Sequence, residues 1–274
     1  MLVQQTLIKN NKNKHMKYKL IVTAAFFTVT LVFWGCKKNS YFITDRISSD
    51  GSAQVKLGYF SAYTVLPNTI LYINDKPVSN TLLAPIGFPG GGFNTNGSGN
   101  GDYLWVTPGA TKIQGFTPIP GTGNLMTKLF EFTETFDANK FYTFYITDTA
   151  TNTNGFSVPD ERTAPDSGFA RLKFVNSMPN VPALDLYKGA NNTVATLLMG
   201  NVPYKGYTAS FDVALPSDSF FIRPAGAAAA TAPIARRAFA ASLTNRRIYT
   251  LVARGYNTGV ATNLAPQLSV VINQ

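Results

Sequence analysis

The 274-residue chain has one cysteine, Cys36, and one histidine, His15. A single cysteine excludes an intrachain disulfide and a thiolate metal cluster. With neither thiol nor imidazole after residue 36, Ser/His/Asp and Cys/His catalysis and His-ligated metal centres lack their residues. Charge is also scarce: charged residues make up 14 % of the chain, against 45 % hydrophobic. What the chain has in quantity is Tyr (13), Phe (20), Gly (22) and Pro (16), with many threonines, a mixture that favours strands and turns over helices.

The formal net charge of +10 is unevenly distributed. Lys9, Lys12, Lys14, Lys17 and Lys19 precede an apolar segment. Residues 53–158 hold 5 basic and 6 acidic residues, whereas 168–274 hold 10 and 3. The basic character therefore belongs to the second half, where a solvated basic face is the plain explanation. No nucleic-acid partner is expected.

Residues 17–36, KYKLIVTAAFFTVTLVFWGC, combine a basic start with an apolar run from Leu20 to Trp34. A helix of that length reaches about 22 Å, short of a bilayer core of roughly 30 Å, and suits a signal peptide better than a spanning helix. Met16, just ahead of the basic pair, is an alternative start. The ending Phe33-Trp34-Gly35-Cys36 resembles a bacterial lipobox; Gly35 supplies the small residue, while Phe33 and Trp34 depart from the usual pattern. The resemblance implies cleavage after residue 35 and lipidation of Cys36, and acyl chains at about 0.8 kcal/mol per buried methylene hold a protein to a membrane when two or more are present. An uncleaved anchor flanked by Lys37 and Lys38 is the alternative. No acidic run follows Cys36, which favours the periplasmic face of the outer membrane over the cell surface.

The remainder reads as a polar tether (36–52), a first unit (53–158), a linker rich in proline and charge (159–168) and a second unit (169–274). AQVKLGYFSAYTVLPNTILYIND from Ala53 answers ARLKFVNSMPNVPALDLYKG from Ala170. FEFTETFDANKFYTFYITD from Phe130 answers RAFAASLTNRRIYTLVARG from Arg237. VTPGATKI (106–113) answers ALPSDSFFI (214–222). A period near 110 suits a duplicated domain rather than a solenoid. Alternation of Val55, Leu57 and Tyr59, of Tyr142, Phe144 and Ile146, and of Tyr249, Leu251 and Ala253 predicts short strands, separated by turn signals such as Asn-Asp-Lys-Pro. The expected fold is all-β: two tandem antiparallel sandwiches, each able to fold alone. The alanine-rich stretch 225–242 has helix formers, but its counterpart in the first copy predicts a strand.

The second copy, ARLKFVNSMPNVPALDLYKG followed by NVPYKGYTASFDVALPSDSFFIRPAG and RIYTLVARG, resembles a repeat of bacterial envelope lipoproteins, a domain of unknown function whose copies open ARVRFVHASPDAPAVDVY. The resemblance implies immunoglobulin-like sandwiches in tandem and an envelope location. It implies no catalytic residue.

Chemistry is sparse. The carboxylate pairs Glu131/Glu134 and Asp160/Glu161 could serve glycoside hydrolysis, but they fall on a hairpin strand and in the linker, and the copy has Ala238 and Ala241 in place of the first pair. The Gly/Asn-rich stretch 87–102 lacks the Lys-Ser/Thr of a phosphate loop. Asn94, Asn96, Asn100 and Asp102 could hold calcium only weakly with one carboxylate; a loop at the end of the fold is expected. Asp148-Thr149-Ala150 resembles a short O-glycosylation signal. Trp105 is expected in the core, opposite Val213 when Pro108 is aligned with Pro216; the alternative turns it outward as a glycan-stacking platform. A hairpin of 234–243 with 248–254 would set Arg236 opposite Arg254, with Arg246 and Arg247 at its turn, as an anion-binding group. No cofactor or metal is expected. The expected role is a non-catalytic binding or spacer module for a glycan or protein, the alternative a structural component of the envelope.

Overall fold

A computed structural model of the chain describes residues 50–61, 67–79, 81, 103–123, 125–148, 152–228, 230–238, 243–259 and 264–273. All of them belong to one compact unit, Ile47–Gln274. The expected signal segment, Cys36 and the Gly/Asn-rich stretch 87–102 lie outside the described residues.

The described regular structure is all-β. The first eight strands are β1 (Ala53–Tyr59), β2 (Ile70–Ile73), β3 (Lys76–Pro77), β4 (Leu104–Val106), β5 (Gly109–Pro118), β6 (Met126–Phe136), β7 (Phe141–Thr147) and β8 (Asn154–Pro159). They form two four-stranded sheets, β4-β1-β7-β8 and β3-β2-β5-β6. The next eight are β9 (Phe169–Asn176), β10 (Ala183–Gly189), β11 (Thr196–Pro203), β12 (Phe211–Ala214), β13 (Ser219–Pro224), β14 (Ala235–Arg237), β15 (Ile248–Arg254) and β16 (Gln267–Ile272). Their sheets run β12-β9-β15-β16 and β11-β10-β13-β14. The second set thus repeats the strand order of the first, shifted by eight. Within each set one pair is parallel, β1 with β7 and β9 with β15, and the rest are antiparallel.

Local chemistry explains the turns. Asn74 and Asp75 both adopt positive φ, at 49° and 62°, and Ile73 pairs with Lys76 across them. This two-residue turn matches the right-handed twist of the strands, and Asn and Asp tolerate its left-handed backbone.

Each set has its own core. Val55, Leu57, Leu71, Ile113, Phe136 and Phe144 fill the first. Leu172, Phe174, Leu186, Phe220, Ile222 and Leu251 fill the second. In both, residues from the two sheets interdigitate, as the two-residue period of a strand directs one face inward.

One expectation fails in the second set. Strand β14 pairs with β13, not with β15, so Arg236 stands opposite Phe221 rather than Arg254. Arg254 instead faces Gln267 in the other sheet. Of the described residues in the alanine-rich stretch only Ala235–Arg237 is strand.

Candidate functional site

Strand β1 is buried on both faces, and so is β9. Ala53, Val55 and Leu57 enter the first core, which leaves Lys56 and Gly58 on the other face, where Phe60 just beyond the strand joins them. On β9 the residues left on that face are Lys173 and Val175, with Ser177 beyond. These outer faces are covered by each other's sheets. Phe60, Tyr145, Phe156 and Val158 from the first set and Val175, Val252 and Val271 from the second make a third apolar cluster. Tyr145 lies between Phe60 and Phe156, with ring centroids 5.3 and 5.2 Å away.

The polar contacts of this junction are reciprocal. Lys56 Nζ donates to the carbonyl of Ile272 at 2.7 Å. Its counterpart Lys173 donates to the carbonyl of Pro159. Pro159 and Ile272 are themselves counterparts, because they pair with Tyr142 and Tyr249 respectively. The next residues, Asp160 and Asn273, meet directly: Asn273 Nδ2 donates to Asp160 Oδ1 at 3.2 Å. Residue i touching j' while i' touches j is the mark of a two-fold relation. The two sets therefore meet about a quasi-dyad that passes between Asp160 and Asn273.

The segment expected as a linker is part of this junction. Asp160 Oδ2 accepts hydrogen bonds from Tyr103 and Thr143, each at 2.7 Å. Arg162 donates to the carbonyl of Asn273 and lies over the rings of Phe141 and Tyr103, at 4.7 and 5.4 Å. Burial, with the Asp160 carboxylate beside it, pushes the Tyr103 hydroxyl far above its ordinary range, so it stays a donor.

On one side of the dyad the junction opens into a cleft of about 500 Å³, within the range of small-ligand sites. Pro159, Asp160 and Glu161 line one wall; Arg171 and Lys173 on β9, and Tyr207 to Asp212, line the rest. Burial holds the Lys173 amine below its ordinary range, against the opposing pull of Asp160 and Glu161. Arg171 grips Asp212 with two parallel hydrogen bonds, Nε to Oδ1 at 2.7 Å and Nη2 to Oδ2 at 2.9 Å, the paired geometry that a planar guanidinium favours. This grip holds the Asp212 carboxyl below its ordinary value. Hydrogen bonds from the backbone of Thr163 and Arg162 do the same for Glu161. Tyr207 is 46 % exposed, yet its backbone is fixed: it bridges Val175, and Thr208 N donates to Phe174 O at 2.9 Å. The Lys173 amine lies 5.4 Å from the centre of the Tyr207 ring.

The residues singled out from sequence are scattered. Trp105 is 50 % exposed, so the core expectation is overturned. Ala53 pairs with Val106 as Ala170 pairs with Val213, which makes Val106 the core counterpart of Val213 and Trp105 the counterpart of Asp212. Arg236 is exposed, donates to Ser219 at 3.2 Å and lies over Phe221. Arg246 and Arg247 are exposed at the turn before β15. Arg254 is buried, with Ser269 and Gln267 as acceptors, and burial lowers it to about 10. No shared anion-binding face of the four arginines is formed. Glu131 accepts from Gln114 and Lys128, and Glu134 from Ser157. Sequence reasoning missed the cleft. The signal for the junction was Lys56 and Lys173 at matching places inside largely buried strands.

Residues 62–187 match the family described as Domain of unknown function (DUF4397), somewhat less than half of the chain. The match runs through most of the first set of strands and the linker into β10, so it falls on the first set more than on the second, where the sequence resemblance had been strongest. Among curated proteins none matches the chain.

Proposed function

We propose that this chain is a non-catalytic binding module of the bacterial envelope, lipid-anchored through Cys36 and built of two immunoglobulin-like sandwiches coupled into one body. The observation that carries the binding reading is the junction cleft, whose charged residues are already held by fixed partners. Hydrolysis by paired carboxyls needs one that keeps its proton near neutral pH. Glu161 and Asp212 are instead held below their ordinary values by donors. Carboxylates held by fixed donors are suited to orienting a ligand.

The test uses the full chain purified in detergent and incubated with envelope polysaccharide and envelope protein fractions. Retention of a partner that is recovered unchanged supports the reading; release of new reducing ends or peptide fragments overturns it. The anchor is tested separately. Labelled fatty acid should mark the wild type and spare Cys36→Ala, and label on the variant would remove the lipid from the proposal.

A further inference from the structure

We propose that the junction cleft takes a neutral sugar, one or two rings of an uncharged glycan, with Tyr207 as its stacking platform. This rests on the binding-module reading and names the ligand class. A pyranose ring presents an apolar face of C–H groups and a rim of hydroxyls. Its site needs a flat, exposed, immobile aromatic ring beside fixed groups that both accept and donate. Tyr207 supplies the first: nearly half of it is exposed while its backbone is held on β9. The rim is supplied by the Arg171–Asp212 pair, the Glu161 carboxylate and the hydroxyls of Thr208 and Ser210. Two rotamer-rich side chains, Arg171 and Lys173, are already anchored by Asp212 and by Pro159, so little entropy is lost when a ligand arrives.

The charges select a neutral ligand. Three carboxylates, Asp160, Glu161 and Asp212, line the cleft against two cations. Both cations have partners inside the protein. An acidic sugar or a lipid phosphate would add to this excess of one carboxylate, whereas hydroxyls pair readily with carboxylates and guanidinium alike. Among the described residues, the quasi-equivalent place across the dyad lacks the Arg171–Asp212 pair. There Gln54 and Trp105 stand where Arg171 and Asp212 pair.

The experiment is affinity electrophoresis of the full chain in detergent, through gels containing hydroxyethylcellulose, galactomannan, xyloglucan or dextran, with polygalacturonate as the acidic comparison. At least one neutral polysaccharide should retard the wild type, and polygalacturonate should not. Tyr207→Ala should weaken that binding at least tenfold, Tyr207→Phe should stay within threefold, and both should melt with the wild type because the ring is exposed. Retardation lost in Trp105→Ala but kept in Tyr207→Ala would overturn the cleft assignment, as would preference for polygalacturonate. If no neutral glycan retards the chain, a photo-crosslinking residue in place of Tyr207 separates the two failures. Capture of an envelope protein overturns the sugar and leaves the binding module standing; capture of nothing overturns both.

Discussion

The two halves share a strand plan and differ where they touch. At the Tyr145 position the second half has Val252, and at the Phe60 position it has Ser177. The ring of Phe60 lies over Gly58, where a Cβ would come within 2.3 Å of it; Val175 occupies that place in the second half. Bulk on one side thus meets small side chains on the other, which close packing across a quasi-dyad demands when the halves are not identical. The same asymmetry separates Asp160 from Asn273 and Trp105 from Asp212. At the last of these positions the first half presents an aromatic ring and the second a fixed ion pair, and the cleft opens beside that pair.

Removing bulk from the junction should have the largest effect. Tyr145 is fully buried, and Tyr145→Ala should destabilise by about 3–5 kcal/mol, as losing a core aromatic does. Val252→Ala, at the matching place, should cost about 1–3 kcal/mol. Denaturant midpoints measure both. Equal effects would mean that the junction does not discriminate between the halves.

Next comes the dyad itself. Asn273→Asp would set a second carboxylate within about 3 Å of Asp160, like charges worth several kcal/mol at an effective dielectric near 20. After relaxation a loss of about 2–4 kcal/mol at pH 7 is expected. The sign with pH is diagnostic: a proton held between the two carboxylates relieves the repulsion, so this variant should gain stability as pH falls from 7 to 4. Asp160→Asn, which makes the two counterparts the same residue, should show no such gain. Thermal melts across that range decide it.

Much of the architecture was legible because it follows from alternation. Val55, Leu57 and Tyr59 fall inside as the two-residue period predicts, and Asn74-Asp75 turns where its side chains allow. What failed was arithmetic of one residue, or the choice of partner strand. A one-place slip put Trp105 in the core in place of Val106, since a single shift exchanges the faces of a strand. Arg236 was set beside Arg254 on the assumption that neighbours in sequence pair, whereas β14 crosses to β13. The cleft was hidden for a different reason. Burial on both faces makes β7 and β15 near-continuous apolar runs, which say that something covers them without saying what.

Arginine positions sharpen the contrast between surface and interior. Arg254→Ala removes a buried side chain that serves Ser269 and Gln267 and should cost about 1–3 kcal/mol. Arg246→Ala, at an exposed turn, should stay within about 0.5 kcal/mol. The same urea titration reads both, and a larger loss in Arg246→Ala would show that the turn is structural.

A small effect belongs to the Arg171–Asp212 pair, the feature by which the cleft side differs from its counterpart. Hydrogen bonding to Arg171 lowers Asp212 below its ordinary carboxylate value, so the unfolded chain binds a proton more readily than the folded one. Stability from the pair is therefore present above the unfolded value, near 4, and is lost as pH falls through the lower folded value. The side chains are 22 % and 36 % exposed, and solvent screening limits the pair to a few tenths to about 1 kcal/mol. Asp212→Asn should accordingly lose that much at pH 7, and the gap between variant and wild type should close as pH is taken from 5 down to 2. A gap that widened in acid would mean that Asp212 is stabilised in its protonated form. A gap that stayed constant would assign the effect to the neutral hydrogen-bonding geometry rather than to charge, and the cleft would then rely on shape at this wall.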